Sequence, residues 1–71
     1  MRKIEIETEY IRLDSFLKLT GLVDTGGQAK MLVQHGNVNL NSQICLMRGK
    51  KLYDGDIVEV DGKQFRVEKC T

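Results

Sequence analysis

Proline and tryptophan are absent from this 71-residue sequence, and only four aromatic side chains occur: Tyr10, Phe16, Tyr53 and Phe65. With no proline, no internal repeat and no low-complexity stretch, a proline-rich linker is excluded. With so few aromatics, the core must come mostly from Ile, Leu and Val. Cysteine is scarce as well. Cys45 and Cys70 form no C-x-x-C pair and no His–Cys spacing suited to zinc. Cys45 reads as a small buried residue and Cys70 as a tail residue. No apolar run approaches the roughly 20 residues of a membrane helix. Met1-Arg2-Lys3 leads into alternating charges, which is not a signal peptide. The chain therefore reads as cytoplasmic, with no membrane partner.

Excess charge is also missing. Eleven Lys and Arg face ten Asp and Glu, for a formal net charge of +1. Bulk composition thus does not announce a nucleic-acid binder, and any such case rests on where the charges sit. The acids cluster at Glu5 to Glu9 and Asp54 to Asp61, while the densest basic run is Arg48-Gly49-Lys50-Lys51. Catalytic signals are lacking too. There is one histidine, His35, beside a helix-ending glycine, where a cation suits the helix dipole. No Ser–His–Asp set, carboxylate pair, metal cluster, Walker sequence or G-x-G-x-x-G is apparent, so no enzyme and no cofactor are expected.

What is present is a clear pattern. Hydrophobic residues at 41% and charged residues at 30% suit one globular domain over 1–71. Lys3 to Glu7 alternates polar and apolar, a strand burying Ile4 and Ile6. Leu13, Phe16 and Leu17 predict a helix over 9–19 with Thr8 as its cap and Gly21 as its end. Asp14 and Lys18 are spaced for an exposed pair, though another nearby cation could take Asp14. Leu22 and Val23 fold back on the core. Ala29, Leu32 and Val33 predict a second helix over 25–35, with Asp24 or Thr25 as its cap, Gln28 as a capping-box partner of Thr25, and Gly36 as the stop. Val38 and Leu40, the Asn41-Ser42 turn, then Ile44 and Leu46 predict a hairpin. Arg48 to Lys51 reads as a polar connection, and Asp61-Gly62 joins two further strands, 57–60 and 63–67. Met31 and Met47 read as packing residues. The expected fold is α+β: two adjacent helices on a small, mostly antiparallel sheet, in the order β-α-α-β-β-β-β.

Four stretches in order resemble the S4 domain. The first is Arg12-Leu13-Asp14 with Leu17; the second is Gly21-Leu22-Val23 with Ala29-Lys30. The third is Gly36-Asn37-Val38-Asn39-Leu40-Asn41, and the fourth is Lys51 to Val60. Together they cover about residues 11–60. Two positions depart from the pattern. Thr25-Gly26-Gly27-Gln28 stands where many S4 domains begin the second helix with a basic pair, and Ser42 stands where glycine is usual. The Gly-Gly form and the Arg-Gly-Lys-Lys loop resemble the small free-standing bacterial S4 subfamily that includes the YaaA and YbcJ proteins. The resemblance implies an S4-like (alpha-L) fold and a role in binding structured RNA, ribosomal RNA foremost, around ribosome assembly or translation. Ribosomal or translation-associated proteins are the further partners it implies.

Candidate RNA contacts follow from charge and backbone chemistry. Thr25, Gly26, Gly27 and Gln28 open the second helix, whose first amides lack internal partners and carry the positive end of the dipole. Arg12, Lys18 and Lys30 are the helical cations. Arg48, Lys50 and Lys51 form a loop run suited to gripping phosphates. A module that binds protein instead is the alternative reading. Near-neutral charge supports it, and an exposed apolar patch would favour it.

Overall fold

The computed structural model describes residues 1–70. Strand β1 (Arg2–Ile6) buries Ile4 and Ile6 and leaves its charged residues wet, as its alternation requires. After a bend at 7–10 comes the two-residue strand β2 (Ile11–Arg12), then helix α1 (Leu13–Leu19) and helix α2 (Gly26–Gln34). The rest is sheet: β3 (Val38–Leu40), β4 (Gln43–Ile44), β5 (Lys51–Leu52), β6 (Ile57–Val60) and β7 (Lys63–Lys69).

The main sheet runs β1-β7-β6-β3-β4, and β2 pairs with β5 in a separate two-stranded ladder. The β7–β6, β6–β3 and β3–β4 pairs are antiparallel, while β1 lies parallel to β7. Leu13, Phe16 and Leu17 of α1 and Ala29 and Val33 of α2 pack on the sheet against Val38, Val58, Phe65 and Val67. Each fully buried Leu or Phe there contributes about 1.5–3 kcal/mol. Val23 is buried and Leu22 packs on the cluster, so the connection between the helices does fold back on the core.

Two hairpins turn with positive φ at both central residues, the geometry that matches strand twist. Asp61 and Gly62 adopt φ of 51° and 77°, and Asn41 and Ser42 adopt 50° and 73°. Asn41 also ties β3 to β6. Its amide donates to the Ile57 carbonyl, and its side-chain oxygen accepts the Ile57 amide. Helix α2 closes at Gly36 (φ +75°), with Gly36 donating to the Val33 carbonyl and Asn37 to the Leu32 carbonyl.

Several expectations need correction. Helix α1 begins at Leu13, not residue 9, and Thr8 does not cap it; the Thr8 hydroxyl donates to the Tyr10 carbonyl instead. The cause is tertiary. Leu13 and Asp14 donate their amides to the Lys50 and Arg48 carbonyls, at 2.8 and 2.9 Å, so a distant loop caps the helix. The Asp14 carboxylate is held by Arg12 and the Ser15 amide, not by Lys18. Lys51 belongs to a strand and not to a free connection, which adds β2 and β5 to the expected order.

Strand β4 ends at Ile44. Ile44 and Leu46 are exposed, because no element covers the outer side of this edge. Met47 is exposed beside them, and Met31 is exposed on α2, off the stripe formed by Ala29 and Val33. Neither methionine packs in the core. Cys45 is half-buried, with its thiol directed to the Met47 carbonyl. Cys70 is exposed, but its amide donates to the Ile6 carbonyl, so its backbone is tied down.

Candidate nucleic-acid interface

The short β2–β5 ladder organises the site. Ile11 pairs with Leu52 and Arg12 with Lys51. Successive strand residues face opposite sides. Leu52 is fully buried and Ile11 packs on the core, so Arg12 and Lys51 turn to solvent. A loop that sequence reasoning could only call polar is thereby pressed against the start of α1. The amides of Leu13 and Asp14 hold its carbonyls, so Arg48, Gly49, Lys50 and Lys51 sit on a pinned backbone.

Arg12 lies across this loop. A Cβ added at Gly49 would meet its guanidinium nitrogen at 3.4 Å, so glycine leaves room for the crossing. The same guanidinium pairs with the Asp14 carboxylate at 3.2 Å, and the Ser15 amide holds the other carboxylate oxygen at 2.8 Å. The Arg-Leu-Asp triplet thus has three jobs in three successive residues: a surface cation, a core residue, and an acid at the helix start that orients the cation. The ion pair itself contributes little to stability, because Arg12 is half-exposed.

The ladder and the pinned loop thus bring Arg12, Arg48, Lys50 and Lys51 into one backbone cluster, in which Arg12 lies beside Lys51 and Gly49 while Lys50 also lines a depression with Ile44, Leu46 and Met47. Among the described residues, none of Lys18, Lys30, Arg48, Lys50 and Lys51 has an ion-pair partner. Lys3 and Lys69, by contrast, pair with Glu68 and Glu9. Residues 10–51 hold six cations and two acids, and the remainder holds five cations and eight acids. The near-neutral total conceals a basic middle and an acidic frame.

The other candidates belong to the helices and their connection and not to this loop. Lys18 is exposed in the last turn of α1, about 9 Å of helix rise from Arg12, and Lys30 is exposed on α2. Thr25, Gly26, Gly27 and Gln28 are exposed beyond the far end of α1. There the expected cap forms, with one shift. The Thr25 hydroxyl oxygen accepts the Gln28 amide at 3.1 Å, while the Gln28 side chain reaches back to the Asp24 amide, at 2.6 Å, and not to that of Thr25. The box engages Gln28, and among the described residues the Gly26 and Gly27 amides have no side-chain partner. A shallow groove of about 450 Å³ flanks α2, lined by Val23, Met31, Leu32 and His35 among others, and no cation lines it.

Sequence reasoning missed Tyr10 and Tyr53. They flank the ladder, with ring centroids 6.0 Å apart, and the Lys51 ammonium sits 4.8 Å from the Tyr10 ring centre. No periodic signal marked them: each tyrosine is next to a ladder strand that also carries a cation, and only the pairing of those strands brings the two together. Among the described residues, no group of three or more His, Cys, Asp or Glu could hold a metal. No described helix is long and apolar enough to cross a membrane.

Known proteins match this architecture. Residues 4–68 match the family model described as S4 domain. A Bacillus subtilis (strain 168) protein, named as a probable ribosome maturation protein RlbA, is 44% identical over 59 residues, covering 83% of each chain. The solution structure of Escherichia coli YbcJ, described as having an alpha-L motif involved in RNA binding, superposes with a TM-score of 0.72 at 25% identity. That match covers 96% of this chain and 87% of YbcJ. The 30S ribosomal protein S4e of Thermoplasma acidophilum shares the fold, with a TM-score of 0.64 at 17% identity. The match covers 84% of this chain but only 32% of S4e.

Proposed function

Because the chain belongs to the S4 domain family, we propose that it is a non-catalytic module that binds structured RNA through phosphate and shape contacts. Its RNA is ribosomal, and its work lies in ribosome assembly or translation in the cytoplasm, in line with the relative named for ribosome maturation and the RNA-binding motif described for YbcJ. The observation that carries the reading is the cluster of Arg12, Arg48, Lys50 and Lys51 on a loop pinned by the first amides of α1. A pinned loop loses little freedom on binding, so more of each phosphate contact survives as affinity. Gly26 and Gly27 form a second contact zone at the start of α2, where phosphate can approach the backbone, and Lys18 and Lys30 extend the basic surface between and beyond the two zones.

The test is salt dependence. Binding to structured ribosomal RNA should weaken with salt at a log–log slope of about −3 to −5. Replacing Arg48, Lys50 and Lys51 together with alanine should reduce that slope by about 2–3. Thermal unfolding should be nearly unchanged, since all three side chains are exposed. A triple variant that binds as tightly as the parent would remove the loop from the interface.

One observation favours a second reading, docking on a protein. Ile44, Leu46 and Met47 are 65%, 61% and 66% exposed and adjoin one another on the open β4 edge. Partners that co-purify after nuclease and high salt would support it.

A further inference from the structure

The ladder register continues past its two paired positions. Tyr10 precedes β2 and Tyr53 follows β5, so they stand opposite each other one step beyond the Ile11–Leu52 pair. Alternation returns them to the face that carries Arg12 and Lys51. The result is a two-by-two array, with a tyrosine pair about 6.6 Å along the ribbon from a cation pair. Lys51 spans the diagonal to Tyr10, within the reach of diagonal neighbours on paired strands. Both rings are about half open, at 41% and 46% exposure. Among the described residues neither phenol hydroxyl has a hydrogen-bond partner.

Resting on the RNA-binding reading above, we propose that this face is a binding site for an unpaired RNA base, with its phosphate held by Arg12 and Lys51. Sequence-selective RNA recognition favours unpaired bases laid on aromatic rings. The planes of the two rings meet at 47°, a wedge and not a flat stack. One ring therefore takes the face of the base and the other meets its edge. Lys51 already covers Tyr10, so Tyr53 takes the face. The adjacent cations suit the same nucleotide, because a base cannot reach the rings without bringing its phosphate near them. The site thus selects a loop or bulge within structured RNA and does not grip plain duplex.

The probe is a short RNA duplex and the same duplex with one bulged 2-aminopurine. The parent protein should bind the bulged RNA more tightly and quench its fluorescence. Tyr53→Leu should abolish the quench and weaken bulged-RNA binding by roughly 5- to 100-fold, with the salt slope unchanged. Tyr53→Phe should retain both signals, because stacking needs the ring and not the hydroxyl, and an unshifted thermal midpoint of Tyr53→Leu separates stacking from a merely structural role of the pair. Equal binding of paired and bulged RNA by the parent, or an unaltered quench in Tyr53→Leu, overturns the base site while leaving RNA binding in place. Binding of neither probe also overturns the base site, and failure to bind structured ribosomal RNA as well removes the broader RNA reading.

Discussion

Ser42 is the one residue in the Asn41-Ser42 turn with no special aptitude for its backbone. Its φ of 73° lies in the left-handed region, where an ordinary L-residue is strained by about 1–2 kcal/mol. Asn41 tolerates the same region better and is further held by its bonds to Ile57. Ser42→Gly should therefore stabilise the domain, by about 0.5–1 kcal/mol once the larger freedom of glycine in the unfolded chain is counted. In a domain this small, that raises the thermal midpoint by several degrees. Differential scanning calorimetry of the two proteins checks it, and an unchanged or lower midpoint would contradict the strain. The serine thus departs from the family pattern at a measurable cost.

At the scale of elements, the two helices begin in different ways. Helix α2 caps itself: Thr25 and Gln28 satisfy local amides from positions a few residues apart, and the sequence displays this directly. Thr25→Ala should lower stability by about 1 kcal/mol, read as a drop of about 4–8 °C in midpoint by circular dichroism, while Thr25→Ser should restore it. Helix α1 has no side-chain cap and borrows carbonyls from Arg48 and Lys50. This explains why Thr8 suggested a false start. The same borrowing gathers the cluster, so the beginning of α1 and the grip of the loop form one structural unit.

At the scale of the whole molecule, charge is segregated and not in excess. A basic middle stretch is framed by the acids at 5–9 and the acidic run at 54–61. Long-range attraction to RNA is accordingly weak, and binding depends on local contacts. The open β4 edge is the other molecular-scale feature. Its apolar residues contribute little to the core, so the double change Ile44→Gln and Leu46→Gln should move stability by no more than about 0.5 kcal/mol. A chemical denaturation curve with an unshifted midpoint would show it. A large loss would mean that the edge supports the fold.

The sequence by itself determined the two helices, the hairpin turns, the core stripe and the cap of α2, because each rests on spacing within a few residues. It also held the S4-like order of motifs and every cation of the candidate site. Tertiary structure alone decided three matters. It placed β1 beside β7 in parallel, since strand partners far apart in the chain are chosen by core packing. It started α1 four residues late, because amides from one segment found carbonyls in another. It also joined Arg12 to Arg48, Lys50 and Lys51 and aligned Tyr10 with Tyr53, through a two-residue ladder too short to leave a periodic signal.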